Sequence, residues 1–429
     1  MSLWDLLFGW LWPRRTSKSV AVPPSDGQGS PPAGEQRHAK IRLQPLRRNA
    51  ARTPRPKPEV GANAVAERPY AFARPCVFGG YLDLTGGHDA VRLEQQGLPN
   101  LRTPQEIADW LEVPLGQLAW LVRRFDESRR PPDVKSAHYH FRWVPKRSGG
   151  QRLIEIPKLR LRLIQQRILR DVLDRVAPHS AAHGFITGRS IRTNAEPHTG
   201  KRVVVKFDLE NFYPAVTYSR VVAIFRSLGY SREAALWLGQ LTTSSLPYEL
   251  VRQKDQQRLL APYLSRHLPQ GASTSPALAN LSAFTLDLRL SGLARSFGAA
   301  YTRYADDLTF SGDDAFLRSL SVFIPLVTQI VSSERFRANR RKRRVVRSSQ
   351  RQQVTGVVVN SHVNVSRKDY DRLKATLVNC VRRGPSTQNH DRHADFASHL
   401  RGRIAHVRHL NPARGEKLLH LFQQIRWDG

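Results

Sequence analysis

The chain has 429 residues, 40% of them hydrophobic, with 68 Lys and Arg against 35 Asp and Glu and a formal net charge of +33 at pH 7. That length and apolar content exclude a wholly disordered chain and suit two or three packed subdomains. The charge calls for a polyanionic partner without deciding between an enzyme and a packing protein, and two cysteines, Cys76 and Cys380, exclude a disulfide framework or a structural zinc and fit a reducing cytoplasm.

The opening MSLWDLLFGWLWPRR is apolar over about a dozen residues, too short to cross a bilayer, and its basic residues follow the apolar run instead of preceding it. A short amphipathic helix ended by Pro13 is expected. It docks on the protein's own core or a partner, or touches a membrane surface, with no stable insertion. Residues 14 to about 69 are rich in Pro, Gly, Ser and Arg and lack an apolar period, as in a disordered basic arm that lies along nucleic acid or merely solubilises.

From residue 98, NLRTPQEIADWLEVPLGQLAWLVRRF predicts two short helices, one started at Thr103-Pro104 and one opened by Pro114. The pair has helix-turn-helix spacing, which plain packing units share. HYHFRWVPKRSGGQRLIEIP alternates around Gly-Gly, a hairpin signal, and runs into the basic amphipathic helix KLRLRLIQQRILRDVLDRV. A strand over 203–209, a helix from near Tyr218 and a helix-rich stretch over about 231 to 293 follow. Next come a hairpin across AAYTRYADDLTFSG, a helix near 315–334, the very basic segment RFRANRRKRRVVRSSQRQQ and a short strand, VTGVVVN. The remaining stretch is helical, with Asn411-Pro412 marking a turn. Strands interleaved with helices across 130–360 make an α+β sheet domain flanked by helical material.

Three acids stand out. Asp208 ends the β-branched run VVVKFD, at the end of a sheet strand. Asp306 and Asp307 are adjacent in YADD, where a tight hairpin would hold both at the sheet edge. Nucleotidyl transfer uses two metal ions about 4 Å apart, and carboxylates supply the hard oxygen ligands that Mg²⁺ prefers. Adjacent acids are also common in solvated turns, and Asp313-Asp314 reads as such a pair.

Taken together, VVVKFDLENFYPAV, QGASTSPALAN and YADD, in that order, resemble the catalytic blocks of reverse transcriptases. The resemblance implies a right-hand polymerase: N-terminal helices and fingers over 70–200, a palm with antiparallel sheet and helices over 201–362, and a helical thumb over 363–429. It implies Asp208, Asp306 and Asp307 as metal carboxylates for two Mg²⁺ ions, with Mn²⁺ able to substitute, and Lys342, of the spacing Asn339-x-x-Lys342, as the group serving pyrophosphate, its register blurred by neighbouring arginines. For the incoming dNTP it implies Lys146 and Arg152 on the triphosphate, Tyr213 as the gate against a 2'-OH, and Gln270 and Gly271 lining the nucleotide. Tyr213 as a core aromatic and Lys146 or Arg152 as solvated cations are the plainer readings.

Two more strings, Asn194, Ala195 and His198 before the first block and Val354, Thr355 and Gly356 after the basic segment, resemble the retron reverse transcriptases of bacteria. A packing histidine and an ordinary turn are the plainer accounts. The retron resemblance implies copying of a cognate structured non-coding RNA primed from an internal guanosine 2'-OH, to give branched RNA–DNA (msDNA). It further implies host ribonuclease H acting on the product and a nearby effector in anti-phage defence. Arg382, Arg383, Arg401, Arg403 and Arg408 are left partly free to grip RNA. The rival readings are an intron-like, diversity-generating or abortive-infection reverse transcriptase, and a non-catalytic RNA-binding scaffold or toxin inhibitor.

Overall fold

The computed structural model of the chain describes residues 41–42, 64–77, 79–123, 130–146, 149–252 and 257–427. The apolar N-terminal segment, and most of the basic arm, lie outside them. At the centre is a four-stranded antiparallel sheet in the order Arg344–Arg347, Val203–Asp208, Asp307–Gly312, Ala300–Tyr304. Because side chains alternate along a strand, Val203, Val205 and Phe207 enter the main core, while Val204, Lys206 and Asp208 share the opposite face. On the neighbouring strand Leu308 and Phe310 are buried in the main core. The register places Asp307 opposite Asp208, Thr309 opposite Lys206 and Ser311 opposite Val204. One sheet face is thus apolar, and the other carries the carboxylates at one end.

The helices Ser275–Ser282, Phe284–Ser296 and Asp314–Ser333 supply the main core beneath that apolar face. The last of these is long and apolar enough, by length and hydropathy alone, to cross a membrane. Its Phe316, Phe323, Val327 and Val331 instead pack into the core, with Phe323 edge-on to Phe310 at 5.0 Å. Asp313 caps its N-terminus by accepting from the amides of Ala315 and Phe316, and Asp314 pairs with Arg202 at 2.9 Å. Those acids begin a helix, Asp313 as its cap and Asp314 in its first turn.

The hairpin Tyr139–Pro145 with Gln151–Pro157 and the basic helix Leu159–Asp171 form as expected, as do Pro104–Leu111, N-capped by Thr103, and Leu115–Leu121. A second core joins Leu373, Leu377, Leu400, Ile404, Leu418 and Phe422 of the three C-terminal helices, Arg367–Arg383, Phe396–Leu410 and Pro412–Gln423. It also includes Ala195, Val204, Val354 and Val357.

Several local expectations are corrected. Ile41–Arg42, within the arm expected to be irregular, pairs in parallel with Val176–Ala177. A small sheet, Ala64–Val65, Tyr81–Leu82 and Arg74–Pro75, precedes the helices. The basic segment contributes the strand Arg344–Arg347: as a charged edge strand it has no apolar alternation to give it away. VTGVVVN is a hairpin, not a single strand. Val354 pairs with Val357, and Thr355 and Gly356 turn between them at φ 47° and 83°, the left-handed pair that a two-residue hairpin requires.

Candidate active site

Asp208 closes its strand directly across from Asp307, and Asp306 lies in the two-residue turn that joins Ala300–Tyr304 to Asp307–Gly312. The Leu209 amide donates to the Asp306 carbonyl at 2.9 Å, fixing the turn to the exit of the Asp208 strand. The Asn339 amide donates to the Asp208 carbonyl at 2.8 Å, and the Lys342 amide donates to Asn339. This turn brings the Lys342 ammonium to 2.8 Å from Asp208 Oδ1. Of the basic run, Lys342 is the residue that reaches the carboxylates, whereas Arg344 donates to the carbonyls of Arg341 and Arg343.

Burial, then the neighbouring Asp307 and Asp208, pushes the Asp306 carboxyl up to about 7. Burial chiefly also raises Asp307, with Asp208 adding to it and Lys206 opposing. Crowded carboxylates of raised pKa have negative charge that a dication would relieve, so the donor set suits a divalent metal. Among the described residues the acids share one end of the sheet without three of them closing round a single point.

Cations converge from the hairpin of Tyr139–Pro145 with Gln151–Pro157. Lys146 begins its turn, with the amide of Lys146 donating to Gly150 and that of Gly149 to Lys146. Burial, with Arg152 and Lys342 nearby, lowers the Lys146 ammonium, while Asp208 draws it upward. All four groups therefore lie in one electrostatic neighbourhood. Arg152 Nε is buried with no hydrogen-bond partner among the described residues.

Gln270 accepts from the Glu155 amide at 2.9 Å, joining its loop to the same hairpin. Gly271 is at φ +138°, and a Cβ there would meet the Glu155 carbonyl at 2.8 Å, so only glycine permits this approach. The hydroxyls of Ser273, Thr274 and Ser275 in the next turn are buried without partners among the described residues. Tyr213 is half-buried against Phe212, 5.7 Å between ring centroids, and its phenol is raised by burial first and by Asp306 second. It thus borders both the core and the carboxylates.

The buttress beneath the turn was not legible beforehand. Arg303, fully buried on the apolar face, pairs with Asp287 through Nε at 2.8 Å and Nη2 at 2.6 Å. Its Nη1 donates to Asn280 Oδ1 at 2.9 Å and to the Ala305 carbonyl at 3.1 Å. Ala305 has φ +55°, a strained region for a residue with a Cβ. Gly184 presses on it from the other side, where a Cβ would come within 2.8 Å of the Ala305 nitrogen. An arginine inside a strand, preceding the paired acids, was the available signal; its partner 16 residues earlier gave none.

Asn194, His198 and the Val354–Gly356 turn stand apart from the carboxylates. His198 is fully buried, its ring nitrogens 2.6 Å from Ser311 Oγ and 2.8 Å from Thr302 Oγ1. Burial holds its imidazole down to about 3. The Asn194 amide donates to Thr355 Oγ1 at 3.3 Å, and Val354 is buried with Ala195 in the second core. The two strings therefore meet each other at the joint between sheet and C-terminal helices. Gly356 alone is exposed.

Comparison with known proteins agrees with this layout. The family described as reverse transcriptase (RNA-dependent DNA polymerase) matches residues 144–359. The Retron Mx65 reverse transcriptase of Myxococcus xanthus is 42% identical over 77% of this chain and 73% of its own length. The Retron Mx162 reverse transcriptase of the same organism is 36% identical over 77% and 69%, and the Retron Ec86 reverse transcriptase of Escherichia coli 29% over 67% and 80%. A solved foamy viral protease-reverse transcriptase with double-stranded DNA overlaps 56% of this chain and 32% of its own, at 16% identity and a TM-score of 0.31, which adds nothing to the assignment. Reverse transcriptases generally use divalent metal ions, and retron enzymes act with a non-coding RNA template. With its α+β polymerase fold, the chain belongs to the reverse transcriptase family, as an RNA-directed DNA polymerase of the bacterial retron type.

Proposed function

We propose that this polymerase copies the structured non-coding RNA of its own locus, in the cytoplasm, by extending an internal guanosine 2'-OH with dNTPs to leave branched RNA–DNA. Host ribonuclease H trims the copied template, and the product and polymerase together restrain an effector in defence against phages. The reading rests on the relatedness to retron enzymes, and above all on Asp208 opposite Asp307, with Asp306 in the adjoining turn and the Lys342 ammonium 2.8 Å from Asp208. A scaffold has no use for that combination.

In this reading Asp208, Asp306 and Asp307 would hold two Mg²⁺ ions, or Mn²⁺ in their place, which activate the attacking hydroxyl and steady the leaving group. Arg152 and Lys146 orient the triphosphate, Gln270 and Gly271 line the nucleotide, and Tyr213 closes the space of a ribose 2'-OH. Lys342 releases Asp208 and takes the charge of departing pyrophosphate. Residues 70–200 serve as N-terminal helices and fingers, 201–362 as palm and 363–429 as thumb.

The test is to purify the protein from cells carrying its native locus and sequence the accompanying nucleic acid before and after debranching treatment. A small DNA joined 2'–5' to RNA is expected. RNA alone, with extension of a generic primed template, would turn the reading to another reverse transcriptase class, and inactivity there to a scaffold.

A further inference from the structure

At the base of the fingers hairpin, away from its turn, lies a cavity of about 370 Å³ lined by Trp120, Arg123, Lys135, Ser136, Ala137, His138 and Lys158. Tyr139–Pro145 separates it from Lys146, a span of roughly 20 Å at about 3.3 Å per residue. It is therefore a place distinct from the carboxylate edge.

Its construction combines an aromatic wall with a cationic rim. Trp120 is 50% exposed, unusual for so large an apolar ring. His138 braces it edge-on at 4.3 Å between centroids, while the His138 Nε2–H donates to the Trp120 carbonyl at 3.1 Å. Burial, with Arg123 and Lys158 adding to it, pushes the imidazole down to about 4, so His138 is neutral and the charge of the rim belongs to the longer side chains. Lys158 Nζ donates to the Lys135 carbonyl at 2.7 Å, and Arg123 Nη1 to that of Ser136 at 3.5 Å, which ties both cations to the segment lining the cavity. Among the described residues no acid lines the cavity, and nearby Asp133 is occupied in accepting from the Ser136 amide at 2.7 Å. An open indole face beside a cluster of cations is the arrangement that receives a base by stacking and its phosphate by charge.

We propose that this cavity is a second RNA contact, in which one unpaired nucleotide of the bound RNA stacks on Trp120 with its phosphate held by Lys135, Lys158 and Arg123. It anchors a single-stranded segment of the RNA well away from the point of synthesis. The proposal rests on the chain being an RNA-copying enzyme.

Full-length protein would be irradiated with a 12-nucleotide oligouridylate carrying one 4-thiouridine, and the adducts mapped by peptide mass spectrometry. Labelling is expected on the peptide bearing Trp120 or on residues 135–138. Trp120→Ala should abolish that adduct and weaken oligonucleotide binding roughly tenfold, the scale of one lost stacking contact. Trp120→Phe should restore both, and Lys135→Ala with Lys158→Ala should flatten the salt dependence of binding. Adducts confined to other peptides, or Trp120→Ala binding as wild type does, would overturn the proposal. Displacement of the oligonucleotide by AMP at equal nucleotide concentration would overturn it too, as a free-nucleotide site. Extension of a short primed RNA is measured alongside: an inactive wild-type protein that still labels at Trp120 faults the polymerase reading and leaves the cavity standing.

Discussion

The carboxylate end of the central sheet and the joint around His198 lie on the same face of the same strands, yet they are built in opposite ways. At the first, Asp208 and Asp307 oppose each other, burial raises Asp307, and Lys342 pairs with Asp208 at 2.8 Å. At the second, His198 spends both ring nitrogens on Ser311 and Thr302 and is closed off from solvent. Both were short polar strings in the sequence. Their difference teaches that a string marking a family need not touch a ligand: one gathers like charges at a strand end, the other packs sheet against helix.

The largest effect expected from breaking this contrast is on chemistry. Asp208→Asn or Asp306→Asn should lower DNA synthesis by roughly 10³-fold or more, since each removes charge from the place where it must be met. RNA affinity in a filter-binding assay should stay within about twofold. Retained synthesis in either variant would remove that acid from the site.

Next is the buttress. Arg303→Met leaves Asp287 buried without its counter-ion, held by the Tyr301 hydroxyl at 2.8 Å, and should destabilise by about 3–5 kcal/mol in urea unfolding. Adding Asp287→Leu removes the orphan charge and should recover most of the stability but not the rate, because nothing then holds the Ala305 carbonyl. Equal recovery of both would make Arg303 a packing residue only.

His198→Ala should cost about 2–4 kcal/mol, by cavity formation and the loss of both imidazole hydrogen bonds, to Ser311 and Thr302, with synthesis per folded molecule nearly unchanged. Lost synthesis at unaltered melting temperature would place His198 in the chemistry.

The smallest effect is on pH. Asp306 has its pKa raised from 3.8 to about 7 in the folded chain. Between those values the unfolded chain binds fewer protons, so its contribution to stability falls as pH rises from about 4 to 7. The metal-free wild type should therefore lose melting temperature relative to Asp306→Asn between pH 5 and 8. Divalent metal should raise the wild-type melting temperature more at pH 8 than at pH 5. Parallel pH profiles for the two proteins would contradict the crowded-carboxylate account.

What could be read beforehand followed local rules. VVVKFD announces a strand ending in an acid because β-branched residues run up to it, and Thr103-Pro104 and Asn411-Pro412 announce helix starts. The missing parts depend on distance or on exceptions. Arg303 finds Asp287, and Glu155 finds His267 at 2.8 Å across 112 residues, through tertiary packing that no window of sequence contains. Arg344–Arg347 is a strand without a strand's pattern because only its backbone edge is used. The roles of Asn194 and Thr355 were out of reach for the same reason, since their meeting spans 161 residues.

That last meeting bears on how such enzymes can be recombined. The apolar core of the C-terminal helices does not stop at Ser366. It runs through Val354 and Val357 to Ala195, and Arg192 Nη1 donates to the His409 carbonyl at 3.0 Å. A chimera that exchanges only residues 363–429 between relatives would cut through a continuous interior, whereas one that also carries 191–198 and 353–359 would move most of it, leaving the seam at Val204 and at the His198 contacts with Ser311 and Thr302. The unit of exchange in this molecule is thus a set of three separated segments, and a C-terminal module defined by chain position alone would be a poor graft.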